Sequence, residues 1–319
     1  MKEINCKQEA VLVAGSDKLA FSVTTCLLQG GYNVTLYTQC PDKALACIKK
    51  HFSDLTELPL VSFNWEDLNV VDKLQKGTDY CFAILVTAES LEIKKGLIGE
   101  LENILSPGKI IAVNTESLLL EDLQKETIQP GRIIGANWVE PAHNTQFLEL
   151  ICTDRNDKAD IESFSEMAKN YLQKDPYTVK NLGIRAKLMG AMTREANYLI
   201  ENDYASVEDI DRACRNDAGY YLPFAGNFRY MDLMGTNAYG MVMSDLNPEL
   251  AKDSEVPSFF KKIIENGSLG MENNKGFYNY KEGDNEKWDK VFRKFSYQIQ
   301  NIINKYPFNY TEDNGSDKK

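Results

Sequence analysis

Apolar and polar positions along this chain follow two different periods. The run AVLVAG, which opens near residue 10, is continuously apolar, as a strand covered on both faces has to be. Residues 17–29 then space Leu19, Phe21, Val23, Leu27 and Leu28 at helical intervals and stop at Gly30-Gly31. NVTLYT (33–38) predicts a second strand and residues 41–53, opening at Pro41, a second helix. YCFAILVTA (80–88) predicts a strand, and SLEIKKGLIGELENIL (90–105) an amphipathic helix closed by Ser106-Pro107-Gly108. KIIAVNT (109–115), RIIGANWV and QFLELIC complete the strands. Strands alternating with helices predict an α/β fold, a mainly parallel sheet covered on both faces.

After about residue 181 only the longer period remains. KLMGAMTREANYLIENDYASVEDIDRACR is helical, and Ser206 to Asp209 reads as a capping box. Residues 287–306 place Trp288, Val291, Phe292, Phe295, Ile299, Ile302, Ile303 and Tyr306 on one face of a last helix. The pattern predicts an α/β domain over 1–181, an all-helical domain over 182–281, and a terminal helix with a disordered tail over 282–319.

Composition narrows the partners. At 319 residues, 43% hydrophobic and 26% charged, the chain is long enough for two globular cores. A net charge of -11 argues against nucleic acid or an anionic membrane. No apolar run is long enough to span a bilayer, and MKEINCKQEA has no signal-peptide core. Seven scattered cysteines without a C-x-x-C pair predict reduced thiols in a cytoplasmic protein. Two histidines, His51 and His143, leave little material for metal sites or imidazole chemistry.

The first strand, turn and helix have the layout of a dinucleotide-binding unit, whose turn reads G-x-G-x-x-G. Set in the register Val13, Gly15, Lys18, only the middle glycine is kept. In that register Gly15 and Ser16 approach the phosphates, Asp17 adds negative charge, and Lys18 roughly offsets it. Thr38 stands at the end of the second strand, where an acid would grip the adenine ribose. No arginine follows to favour a 2′-phosphate.

Five stretches together carry a resemblance. AESLEIKKGLIGELE, IIAVNTESL, IIGANWVEPAHNTQFLELI, EANYLIENDYASVEDIDRA and LGMENNKGFYNY occur in that order. The chain resembles the 3-hydroxyacyl-CoA dehydrogenase family from about residue 9 to residue 280. The resemblance implies a Rossmann-type domain, an all-helical dimerisation domain, NAD as cofactor, and an acyl-CoA or small hydroxy acid as substrate. It also implies a catalytic histidine oriented by a glutamate twelve residues later. The glutamate is Glu149, but the histidine position is Asn137. The family's serine position is Glu116, its N-P asparagine is Glu140, and its asparagine–arginine pair falls near Ala186-Lys187. Glu89 and Lys94 match residues near the nicotinamide ribose and the substrate.

Asparagine takes up no proton near neutral pH, so the family reaction by the family route is expected to be weak or absent. Three further expectations follow. Glu116, Glu140 and Glu149 gather in one pocket, where one carboxylate replaces the histidine as base; or at least one of them points to solvent or pairs with Lys94 or Lys187. His143, six residues past Asn137, is a substitute base or a structural residue. The protein is a non-catalytic partner of an active paralogue through its helical domain, where the stretch AGNFRYM reads as an insertion.

Overall fold

A computed structural model describes residues 9–55, 64–74 and 77–308. It divides into two compact units that meet at Lys187 and Leu188, inside a helix. The tail expected to be disordered lies outside the described residues.

The first unit is built on one eight-stranded sheet. Its strands are β1 (Ala10–Ala14), β2 (Asn33–Tyr37), β3 (Leu68–Val71), β4 (Tyr80–Leu85), β5 (Ile111–Val113), β6 (Ile133–Asn137), β7 (Phe147–Cys152) and β8 (Asp175–Lys180). They lie in the order β3-β2-β1-β4-β5-β6-β7-β8. All pairs are parallel except β6 with β7. The chain order reverses between β1 and β4, and a crevice outside the strand ends at such a switch point is where ligands bind in open α/β sheets. Strands β3 and β8 carry little apolar signal, because both are only partly buried edge strands.

Helices α1 (Lys18–Gln29), α2 (Pro41–Leu55), α3 (Leu91–Glu102), α4 (Leu120–Gln124) and α5 (Lys158–Leu172) flank the sheet. Helix α1 packs with α2 and α5, and α3 with α4. One core gathers Leu12, Ala14, Leu85, Ile98, Leu101 and Val113, all buried. Val11 and Val13, also buried, alternate with them along β1. The strand pattern predicted from the apolar run is therefore met on both faces.

Helix α6 (Ile184–Glu201) leads into the second unit, which continues with α7 (Val207–Ala213), α8 (Gly219–Met234), α9 (Thr236–Leu246), α10 (Ser258–Glu265) and α11 (Asp284–Lys305). The capping box at Ser206 and Asp209 forms. The AGNFRYM stretch lies within α8, which kinks at Gly226, where φ is +64°. Among the described residues of this unit only Ala225, Ala251 and Arg293 are buried.

No helix of the described residues is long and apolar enough to cross a membrane. One cysteine expectation is corrected: Cys81 is disulfide-bonded, while Cys26, Cys40, Cys47, Cys152 and Cys214 are not.

Candidate active site

The turn after β1 corrects the register of the glycine fingerprint. Val13 is fully buried inside β1, so it is not the turn residue. The turn begins at Gly15, whose N–H donates to the Tyr37 carbonyl at 3.0 Å. A Cβ on Gly15 would stand 2.2 Å from the Val86 carbonyl oxygen and 2.6 Å from the Ala20 Cβ, so only glycine fits there. The three fingerprint positions are Gly15, Asp17 and Ala20. The first permits the turn, and the third, where alanine is also accepted, packs helix on strand. Only the middle position is altered. Lys18 is the first residue of α1 and partly exposed.

Asp17 caps α1: its Oδ1 accepts the Ala20 N–H at 2.8 Å. A carboxylate thus sits at the helix N-terminus, where an anion would otherwise be received. Thr38 is fully buried and donates to Ser16 Oγ at 3.1 Å, and Ser16 Oγ also accepts the Gln39 N–H at 3.0 Å. The turn therefore satisfies its own polar groups. Its tight packing at Gly15 is that of a dinucleotide-binding turn; the charge at Asp17 opposes an anion there.

At the ends of β4 and β5, Glu89 organises the next loop. Its Oε1 accepts the N–H groups of Glu116, Ser117 and Leu118 at 2.9, 2.8 and 3.0 Å. Burial alone would raise the Glu89 pKa, but the hydrogen bonds of Ser117 and Leu118 and the charge of Lys94 outweigh it, and the carboxyl is held below its ordinary value. Lys94 is fully buried. Its Nζ donates to the Thr87 and Asn114 carbonyls at 3.1 and 2.7 Å and pairs with Glu89 Oε2 at 3.3 Å. Burial lowers its pKa, against the opposing pull of Glu89.

At the end of β6, Asn137 is buried with both ends of its amide engaged. Its Oδ1 accepts the Thr115 N–H at 2.7 Å and its Nδ2 donates to Glu149 Oε2 at 2.9 Å. Glu149 is fully buried, and its Oε1 accepts from the Tyr177 hydroxyl at 2.9 Å, Ile184 N at 2.8 Å and Arg185 N at 3.2 Å. Burial, joined by the hydrogen bond to Glu149, raises the Tyr177 pKa. A Cβ on Gly183 would stand 2.2 Å from Glu149 Oε2, so the backbone closes directly over the pair.

Of the three carboxylates expected to share one pocket, Glu149 and Glu116 have different partners. Glu149 is saturated by four donors. Glu116, with its side chain 44% exposed, pairs with Arg185 at 3.1 Å rather than with Lys94 or Lys187. Glu140 lies on a turn with a cis peptide to Pro141 and is only partly buried. His143 does not serve Asn137 but lies against Ser22 and His51. Sequence reasoning missed Thr115, Tyr177, Gly183 and Arg185. Gly183 had the one available signal, a glycine just before a helix-forming stretch.

Among the described residues no group of three or more His, Cys, Asp or Glu could hold a metal ion. Residues 10–182 match the family profile described as 3-hydroxyacyl-CoA dehydrogenase, NAD binding domain, and residues 184–280 match its C-terminal domain. A probable 3-hydroxybutyryl-CoA dehydrogenase of Bacillus subtilis is 24% identical over 288 residues, covering 85% of this chain and 97% of that one. The fatty acid oxidation complex subunit alpha of Vibrio campbellii is 25% identical over 229 residues, 71% of this chain, which spans only 30% of that protein. The solved structure of 5-formyl-3-hydroxy-2-methylpyridine 4-carboxylic acid 5-dehydrogenase, an NAD+ dependent dismutase, superposes with a TM-score of 0.81 at 19% identity, covering 93% of this chain and 97% of that one. At that identity the likeness speaks for the fold.

Proposed function

Given that the chain belongs to the 3-hydroxyacyl-CoA dehydrogenase family, with NAD as the cofactor of its first domain, we propose that it is a member with little or no dehydrogenase turnover by the family's histidine route. The observation that carries this reading is the engagement of Asn137. An amide whose oxygen accepts from Thr115 and whose nitrogen donates to Glu149 has no basic atom to offer a substrate hydroxyl. Gly15, Ser16, the N-terminus of α1 and Thr38 would hold the dinucleotide, and NAD bound there supplies the hydride acceptor. The substrate class is an acyl-CoA or a small 3-hydroxy acid.

The same geometry speaks against Glu149 or Glu116 as a carboxylate base. Glu149 accepts four hydrogen bonds, so its carboxylate oxygens are already committed within the protein. Glu116 is committed to Arg185.

A second, compatible reading concerns assembly. A helical unit with three buried residues lacks the core that a stable fold needs, so its apolar side chains require a further surface. We propose that this surface is a second copy of the chain, giving a homodimer through the helical unit. Turnover of acetoacetyl-CoA with NADH, measured on the native protein at known oligomeric state, tests both readings. Robust turnover would overturn the first, and a monomer at micromolar concentration the second.

A further inference from the structure

The chain has two histidines, 92 positions apart, and they are stacked on each other, with ring centroids 4.2 Å apart and planes inclined by 25°. Both are buried. His143 Nδ1 lies 2.8 Å from Ser22 Oγ of α1. His51, on α2, places Nδ1 2.9 Å from Thr25 Oγ1 and Nε2 3.5 Å from Cys47 Sγ. This cluster shares no residue with the site around Asn137.

The hydrogen-bond network assigns the His51 tautomer. Thr25 directs its one hydroxyl proton back to the Phe21 carbonyl at 3.0 Å. Its oxygen therefore receives the proton of His51 Nδ1, and Nε2 turns its lone pair toward the Cys47 thiol. Cys47 and His51 are four residues apart on α2, so the helix itself holds them face to face. A nucleophile, a base within reach, and a third group orienting the base form the arrangement that activates thiols. Cys47 is partly exposed, whereas Cys26 is buried. The His143 ring lies over His51, offering a π face to an imidazolium.

We propose that Cys47 is an activated thiol that reacts with soft carbon electrophiles bearing a leaving group. The Sγ proton passes to His51 Nε2. The thiolate pair then forms the new S–C bond, and the leaving group departs with the electrons of the bond that breaks. His51 is the base, and Thr25 is a positioning residue that acts through it.

The test is alkylation of the native full-length protein by iodoacetamide at neutral pH, read site by site by peptide mass spectrometry. Cys214, exposed and outside any disulfide, is the internal reference. An ordinary thiol is only a few per cent ionised at pH 7, and the gain from full ionisation is partly offset by lower nucleophilicity. Cys47 is therefore expected to react about fivefold faster than Cys214 or more. Thr25→Val is expected to remove that advantage and Thr25→Ser to keep it. A wild-type Cys47 no faster than Cys214 overturns the proposal, without depending on any variant folding. An unchanged rate in Thr25→Val overturns the relay.

Discussion

Asn137 and Glu149 are direct partners in the antiparallel pairing of β6 with β7, and a 2.9 Å hydrogen bond joins their side chains across it. The twelve-residue spacing is thus the length of a strand end, a turn and a strand start. A hydrogen-bond donor at 137 meets a buried acceptor at 149 whatever its chemical type. The pairing has been kept while the capacity for proton transfer at its first member is missing.

Asn137→His should restore part of the missing chemistry. An imidazole there can donate to Glu149, as the amide does, and present its second nitrogen outward. A general base is worth about 10²- to 10⁴-fold, but the other substituted positions keep the expected gain near the low end, about tenfold or more in acetoacetyl-CoA reduction by NADH. The Thr115 amide loses its acceptor, so stability should fall by about 1–2 kcal/mol in thermal unfolding. A variant that folds and shows no gain would mean that position 137 does not face the reacting atoms.

Asp17→Gly should move cofactor affinity and stability in opposite directions. Removing one charge beside a pyrophosphate is expected to tighten NADH about tenfold, near 1.4 kcal/mol, in calorimetric titration. Losing the α1 cap in favour of glycine costs only a few tenths of a kcal/mol. Asp17→Asn keeps the cap and should recover most of the affinity. If neither substitution changes NADH binding, Asp17 does not lie near the phosphates.

Much of this was legible in the chain, and what was not has definite causes. Strands buried on both faces announce themselves, as AVLVAG and YCFAIL do; the half-exposed edge strands LNVV and DPYTVK do not. The fingerprint was misread by two residues because one glycine fits several registers, and only the space around Gly15 and Ala20 decides among them. Asn137 and Glu149 were found through the family resemblance, which places a histidine and a glutamate twelve residues apart. The donors that saturate Glu149 come from β8 and the start of α6, which no local pattern connects to β7. The burial of Lys94 was not legible, because buried lysines are rare. Its partner Glu89 is five residues earlier, across the start of α3.

Glu89→Gln and Lys94→Met should differ sharply in urea unfolding. The first leaves a buried ammonium without its carboxylate and weakens three backbone bonds, at a cost of about 3 kcal/mol. The second removes a charge whose desolvation already opposes folding, and should cost far less. The pH dependence follows from Glu89, whose folded pKa lies below the ordinary 4.5. Its contribution is fully present above that value and is lost as pH falls from 4.5 through the folded pKa. Wild type should thus lose stability below about pH 4.5 more steeply than Glu89→Gln.

Helix α11 gives the assembly its sharpest test. Trp288, Val291, Phe292, Phe295 and Ile302 lie along it at 56, 60, 49, 54 and 48% exposure. Aromatic side chains left this open on a single chain cost solubility and point to an interface. Light scattering over a dilution series should give about twice the 36.2 kDa chain mass. Phe295→Glu places a charge in that stripe and should shift the equilibrium toward monomer by tenfold or more in Kd, since central aromatic anchors are worth about 2 kcal/mol or more. Because the helical unit buries so little of its own, the monomer released should also unfold at lower temperature, and its melting point should depend on protein concentration. A wild-type dimer that Phe295→Glu leaves intact would move the interface to the faces of α8 and α9, where Phe228, Leu233 and Met241 stand open.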